Sequence, residues 1–227
     1  MGDRVSSGVK GLDELIEGGF KPRSINLVVG DPGSGKSTFA VQYLSAGAQA
    51  GEIGLYVSVE ERKDKFYDNM LRFGFDLAAM EAEKKLIFHK TSVLEIRSFL
   101  DQGVVSFEQY FKTNDIKRVV VDSATALMLS YNAETSQRNA VVNLMEILGK
   151  HGVTVVITSE AEDGQARFGL EYLVDGIIRL YSRKVGQERV RTLEVFKMRG
   201  TDHTRQEMVY RLGRGGIVLY PGEKILV

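Results

Sequence analysis

Short apolar runs alternate with stretches in which apolar residues recur every three to four positions, along most of the first 175 residues. Runs such as "SINLVVG" (24–30), "GLYVSVE", "KKLIFHK", "KRVVVDS" and "VTVVITSE" predict strands. "KSTFAVQYLSAGAQAG" (36–51), "RKDKFYDNMLRFG", "EIRSFLDQGVVSFEQYF" and "SQRNAVVNLMEILGKHG" predict helices. In the second helix Phe66, Tyr67, Met70, Leu71 and Phe73 are spaced to bury one side; in the fourth, Val141, Leu144 and Leu148 are. The unbroken valines of "KRVVVDS" require cover on both faces, so that strand is expected inside a mostly parallel sheet. From about residue 176 the rhythm changes. "GIIRLYSRK", "RVRTLEVFKMRG", "MVYRLGRGG" and "GIVLYPG" follow one another with no helix between them, predicting antiparallel additions at the sheet edge. The result is an α/β fold, a central sheet flanked by helices with C-terminal antiparallel strands, read as one domain over 1–227.

Composition narrows the partners. Thirty Lys and Arg balance thirty Asp and Glu, so no global field draws the chain to nucleic acid or an anionic membrane. The absence of cysteine excludes disulfides and thiolate metal sites, and His89, His151 and His203 have no ligand-like spacing. "MGDRVSSGVKGLDELI" has neither a signal peptide's apolar core nor a membrane span, which makes a cytoplasmic location the expectation.

Chemistry enters with "GDPGSGKS", which satisfies G-x-x-x-x-G-K-[ST] between a predicted strand and a predicted helix. Gly30, Asp31, Pro32, Gly33, Ser34, Gly35, Lys36, Ser37 and Thr38 form the candidate phosphate site. Backbone amides there can curl around a phosphate at the positive end of a helix, Lys36 can reach the outer phosphates, and the Ser37 hydroxyl suits Mg²⁺. Asp122, ending "RVVVD", is the candidate second support for that ion, on a strand expected beside the P-loop strand. Glu60 and Glu61 in "YVSVEER" lie at another strand's carboxyl end, where a carboxylate can polarise water for in-line attack on a γ-phosphate; Glu60, nearer the strand, is favoured. Late in the chain "VFKMRGTDHT" sets Lys197 and Arg199 two residues apart. Strand alternation would put this pair on one face and Phe196 with Met198 on a buried one.

Together these stretches resemble the KaiC-like branch of the RecA-superfamily ATPases, over nearly the whole chain. The opening "SSGVKGLDELIEGGFKPRSINLVVGDPGSGKSTFA" resembles that branch's entry into Walker A, "YVSVEER" its paired glutamates, "RVVVDS" its Walker B and "FKMRGTDH" its late K-[LM]-R-G-[TS]-x-H signature. The resemblance implies a RecA-like P-loop NTPase fold, ATP as the nucleotide and a ring, expected to be hexameric. It also implies that Lys197 and Arg199 act in trans on the neighbour's nucleotide, with Thr201 and His203 helping to build that side. In members that phosphorylate themselves, adjacent Ser and Thr precede a strand like "VDGIIRL"; here Glu171 and Tyr172 stand near that place. The function expected is a slow Mg²⁺-dependent, ring-forming ATPase whose nucleotide state governs an unidentified protein partner. One alternative is a DNA-binding recombinase paralogue, with Arg167 and Phe168 of "AEDGQARFGLE" as contacts and seven basic against three acidic residues over 183–205. Another is an ATP-binding switch subunit of an archaeal motility-type machine.

Overall fold

The structure is a computed structural model that describes residues 3–102, 111–162, 165–166 and 169–222. Its strands are β1 (Ile25–Gly30), β2 (Ile53–Ser58), β3 (Leu86–Lys90), β4 (Ile116–Asp122), β5 (Thr154–Glu162), β6 (Gln165–Ala166), β7 (Gly176–Val185), β8 (Glu188–Met198), β9 (Met208–Gly213) and β10 (Gly216–Leu219). Its helices are α1 (Lys36–Gln49), α2 (Lys63–Arg72), α3 (Leu77–Ala82), α4 (Val93–Gln102), α5 (Ala124–Met128), α6 (Glu134–Lys150) and α7 (Leu170–Leu173). The sheet runs β10-β9-β8-β7-β1-β5-β4-β2-β3, with β6 paired to β5 alone. β7, β1, β5, β4, β2 and β3 are parallel, while β8, β9 and β10 are antiparallel.

Two apolar layers sandwich this sheet. On one side Phe39, Tyr43, Phe66, Met70 and Leu77 from α1, α2 and α3 pack on Val28, Val120 and Val156. On the other, Ile96, Leu127, Met128, Leu144 and Leu148 from α4, α5 and α6 pack on Leu27, Val119 and Val155. Successive strand residues feed opposite layers, which is why β1 and β4 carry nearly unbroken apolar sequence. No described helix is long and apolar enough to cross a membrane.

Three sequence expectations need correction. β7 pairs parallel with β1, so antiparallel pairing begins one strand later, at β8; the crossover from β5 back to β7 runs through α7, too short to leave a helical periodicity. β4 is not beside β1, because β5 lies between them. Leu71 on α2 is exposed, although Phe66 and Met70 beside it are buried.

Candidate functional site

The parallel register gathers the candidate residues at the carboxyl ends of the strands, where open α/β sheets bind ligands. Gly30 at the end of β1 pairs with Glu160 of β5 and Leu180 of β7, and Ser58 of β2 pairs with Asp122 of β4. The P-loop turns off β1 into α1, whose N-cap Gly35 has φ 96°, a left-handed conformation that glycine adopts without strain. A Cβ on Gly30 would lie 2.5 Å from the Leu180 carbonyl oxygen and 2.6 Å from Ser34 Oγ, so the loop leaves no room for a side chain there. Ser34 Oγ is buried without a partner, while its carbonyl accepts the Tyr210 hydroxyl of β9. Asp31 accepts the Ser182 amide of β7 at 3.1 Å. Pro32 and Gly33 are exposed, Ser37 is half-buried, and Thr38 is buried in the first turn of α1.

Lys36 folds back on the loop, donating to the carbonyls of Gly30 (2.8 Å) and Asp31 (3.0 Å). Burial lowers its pKa from the ordinary 10.5, against the opposing pull of Glu160, Asp122, Asp31 and Glu60. Four carboxylates therefore act on one ammonium group. Asp122 accepts hydroxyl hydrogen bonds from Tyr56 on one oxygen and Thr158 on the other, and the Asp122–Ser123 peptide is cis. The Tyr56 hydroxyl also meets Ser37, so both metal candidates share one neighbour; burial first, then Asp122, raises its pKa well above 10.0. Glu60 and Glu61 are exposed just past β2; Glu60 accepts from Ser123 Oγ at 3.3 Å, and the Glu61 carbonyl accepts from Ser58 Oγ at 2.8 Å. Among the described residues no three His, Asp or Glu side chains could hold a metal by themselves. The donor set at this point is one hydroxyl and one oriented carboxylate, which fits an ion that also takes oxygens from bound phosphates.

The other candidates are not here. Lys197 pairs across β8 with Ile177, and Met198 with Gly176, at the amino end of β7 and β1. Lys197 is therefore about 10 Å along the sheet from the level of Gly30, and Arg199 farther still. Lys197 Nζ donates to the carbonyls of Glu171 (2.9 Å) and Val174 (2.8 Å) at the end of α7, and burial followed by Arg199 lowers its pKa. Arg199 donates to the Tyr172 carbonyl at 3.3 Å and lies 3.7 Å from Asp175. The Thr201 hydroxyl accepts from Arg4, and His203 Nδ1 lies 2.8 Å from the Thr204 carbonyl.

The expected alternation around this pair fails at one residue. The β7–β8 register shifts so that Lys197 faces Ile177 and Val195 faces Ile178, which leaves Phe196 as the extra residue of a bulge. Met198 is buried, as alternation requires, but Phe196 is 46% exposed and lies against the Arg179 guanidinium at 3.4 Å. Three further residues near the P-loop carry no motif that would single them out: Glu160, Tyr56, and Arg191 of β8. Arg191 stands opposite Ser182, and its Nε is buried without a partner. Their proximity to the loop arises from strand order. Arg167 and Phe168, the DNA-contact candidates, lie outside the described residues. Of the basic residues around the β7–β8 hairpin, Arg183 is paired with Glu207.

A glycine-rich loop joining β1 to α1, with carboxylates grouped at the strand ends of this sheet, defines a P-loop ATPase of the RecA type. The chain belongs to the KaiC family: the model of the KaiC ATPase matches residues 5–224. A UPF0273 protein of Pyrococcus furiosus is 35% identical over 245 residues, covering 98% of this chain and 96% of that protein. The circadian clock oscillator protein KaiC of Prochlorococcus marinus subsp. pastoris is 32% identical over 228 residues, covering 96% of this chain but 45% of that protein. The crystal structure of a KaiC-like protein from Pyrococcus horikoshii OT3 superposes with a TM-score of 0.87 at 35% identity, covering 96% of this chain and 99% of that one.

Proposed function

We propose that the protein is a Mg²⁺-dependent ATPase, one domain over 1–227, that works as a closed ring, hexameric by the resemblance, with each active site completed by the neighbouring subunit. The observation that carries this reading is the placement of Lys197 and Arg199 at the end of the sheet opposite the P-loop. A cationic pair that cannot reach its own nucleotide can serve a neighbour's in a head-to-tail assembly, and such contacts make a ring where the rotation between subunits closes. Electrostatics favours the same arrangement. A site with four carboxylates acting on Lys36 gains from added positive charge, which magnesium, Arg191 and a neighbour's pair would each supply.

In this mechanism Lys36 exchanges the Gly30 and Asp31 carbonyls for the outer phosphates, and the loop amides take the β-phosphate. The unpartnered Ser34 hydroxyl and the Arg191 guanidinium supply polar contacts from the same subunit. Ser37 and Asp122 would hold magnesium, which neutralises charge on the β,γ oxygens when bound. Tyr56 and Thr158 orient Asp122. Glu60 orients a water whose oxygen forms the new bond to γ-phosphorus as the bond to the bridging oxygen breaks; the water proton passes to the carboxylate, and ADP departs. Lys197 and Arg199 of the neighbour stabilise charge on the transferring group, flanked by Thr201 and His203. The change of contacts between ATP and ADP states is what a protein partner would read.

Subunit mixing tests this directly. Lys36→Ala and Arg199→Ala proteins should each be inactive. A 1:1 mixture should regain about a quarter of wild-type turnover, because a productive interface pairs an intact Lys36 with an intact Arg199 from the next subunit. Mixtures that stay inactive at every ratio would overturn the trans site.

A further inference from the structure

We propose that Glu171 is the positioning residue that ties Lys197 and Arg199 to the nucleotide site of their own subunit, so that each subunit presents its cationic pair according to what its own P-loop holds. The inference rests on the trans reading above and adds a route by which one site informs the next.

Both cations are held by the same five-residue stretch. Lys197 donates to the carbonyls of Glu171 and Val174, while Arg199 donates to that of Tyr172 and lies near Asp175. Two of the three N–H groups of Lys197 are taken by these carbonyls, so full engagement of a neighbour's phosphate would draw it off them. The held and released positions form a two-state element, and whatever fixes α7 biases it. Leu170 and Val174 anchor α7 in the apolar core, and its polar tie to the neighbouring strands is the Glu171 carboxylate. Its Oε1 accepts from the Ala166 amide at 3.1 Å and from Arg179 at 3.2 Å, with both side chains largely buried. Arg179 in turn stacks on Phe196, the bulge residue next to Lys197.

From this carboxylate a continuous path runs back to the P-loop. Ala166 pairs with Ala161, the residue after Glu160; Glu160 pairs with Gly30 and is the strongest carboxylate influence on Lys36. Phosphate entering the loop draws Lys36 off the Gly30 and Asp31 carbonyls and changes the charge that Glu160 faces. Through Ala161, Ala166 and Glu171 that change arrives at the carbonyls holding Lys197. Tyr172, 82% exposed beside them, leaves this stretch free of packing on its outer side.

The test is hydrogen exchange over 170–175 and 197–201, with and without a non-hydrolysable ATP analogue and Mg²⁺, in wild type and Glu171→Gln. In the wild type the analogue should change exchange there about fivefold or more, a modest allosteric coupling. In Glu171→Gln that difference should vanish while analogue affinity stays within about threefold. A purely structural role for Glu171 would speed exchange equally with and without analogue, and that result overturns the proposal, as does an unresponsive wild type. Should Glu171→Gln unfold because Arg179 is left unpaired, the double variant Glu171→Gln/Arg179→Gln removes both charges and is read the same way. Successful subunit complementation without a nucleotide-dependent exchange change defeats the coupling alone. Failed complementation defeats the trans site and the coupling with it.

Discussion

Tyr56 serves the core with its ring and the site with one oxygen. The ring packs 4.8 Å from Phe66 and 5.4 Å from Phe88, centroid to centroid, and its hydroxyl reaches Asp122. Tyr56→Phe keeps the packing and leaves one Asp122 oxygen short of a donor, at a cost of about 1 kcal/mol in stability. If Asp122 supports the metal, half-maximal turnover should need about tenfold more Mg²⁺; an unchanged Mg²⁺ titration would assign the hydroxyl to the fold alone. Gly30→Ala tests the loop, since its Cβ meets backbone at 2.5 Å. The protein should fold with a displaced loop and lose about tenfold or more in affinity for a fluorescent ATP analogue, a loss of about 1.4 kcal/mol. His89 on β3 supplies a pH signature. Burial lowers its pKa below 6.5, with Glu95 opposing. The unfolded chain therefore binds the extra proton first, and this contribution to stability falls as pH drops from about 6.5 through the lowered folded value. Melts of His89→Gln should lack that part of the acid sensitivity.

Elements explain what could be read from the sequence and what could not. The P-loop was legible because its demands are local: a strand, glycines that permit a tight loop, a lysine and a helix start within a dozen residues. Lys197 and Arg199 were legible as a pair, but Phe196 was misread, because a bulge in β8 depends on how β7 pairs with it. Glu160 and Tyr56 carried no local mark; they reach the site only because β5 inserts between β1 and β4 and β2 pairs with β4. Arg118 is a comparable case in the core. It is 3% exposed and donates to the Ser6 and Tyr43 carbonyls at 2.7 and 2.8 Å and to Glu52, joining the N-terminal segment, α1 and the start of β2. Arg118→Met should cost about 2–4 kcal/mol in urea unfolding through these lost bonds; a loss within about 0.5 kcal/mol would mean the three elements hold together without it.

At the scale of the molecule, a net charge of zero hides a separation. Lys21, Arg23, Lys197 and Arg199, with Asp175 among them, lie at the amino ends of the parallel strands, and Glu60, Asp122 and Glu160, with Lys36 among them, at the carboxyl ends. Head-to-tail association should therefore weaken as salt rises, and light scattering with ATP and Mg²⁺ should lose its large species together with phosphate release. A monomer that hydrolyses ATP equally well at all concentrations would remove both the ring and the shared site. The opposite placement of cations and P-loop also sets an arithmetic for assembly. On the proposed shared site, an open arc would have one unserved nucleotide at one end and one idle cationic pair at the other, so a pair of chains would have one working site between them. Only closure makes sites and chains equal in number. Specific activity per chain should then climb from about half its limit in dimers toward the full value as arcs lengthen and shut, and the last subunit to join raises the count by two.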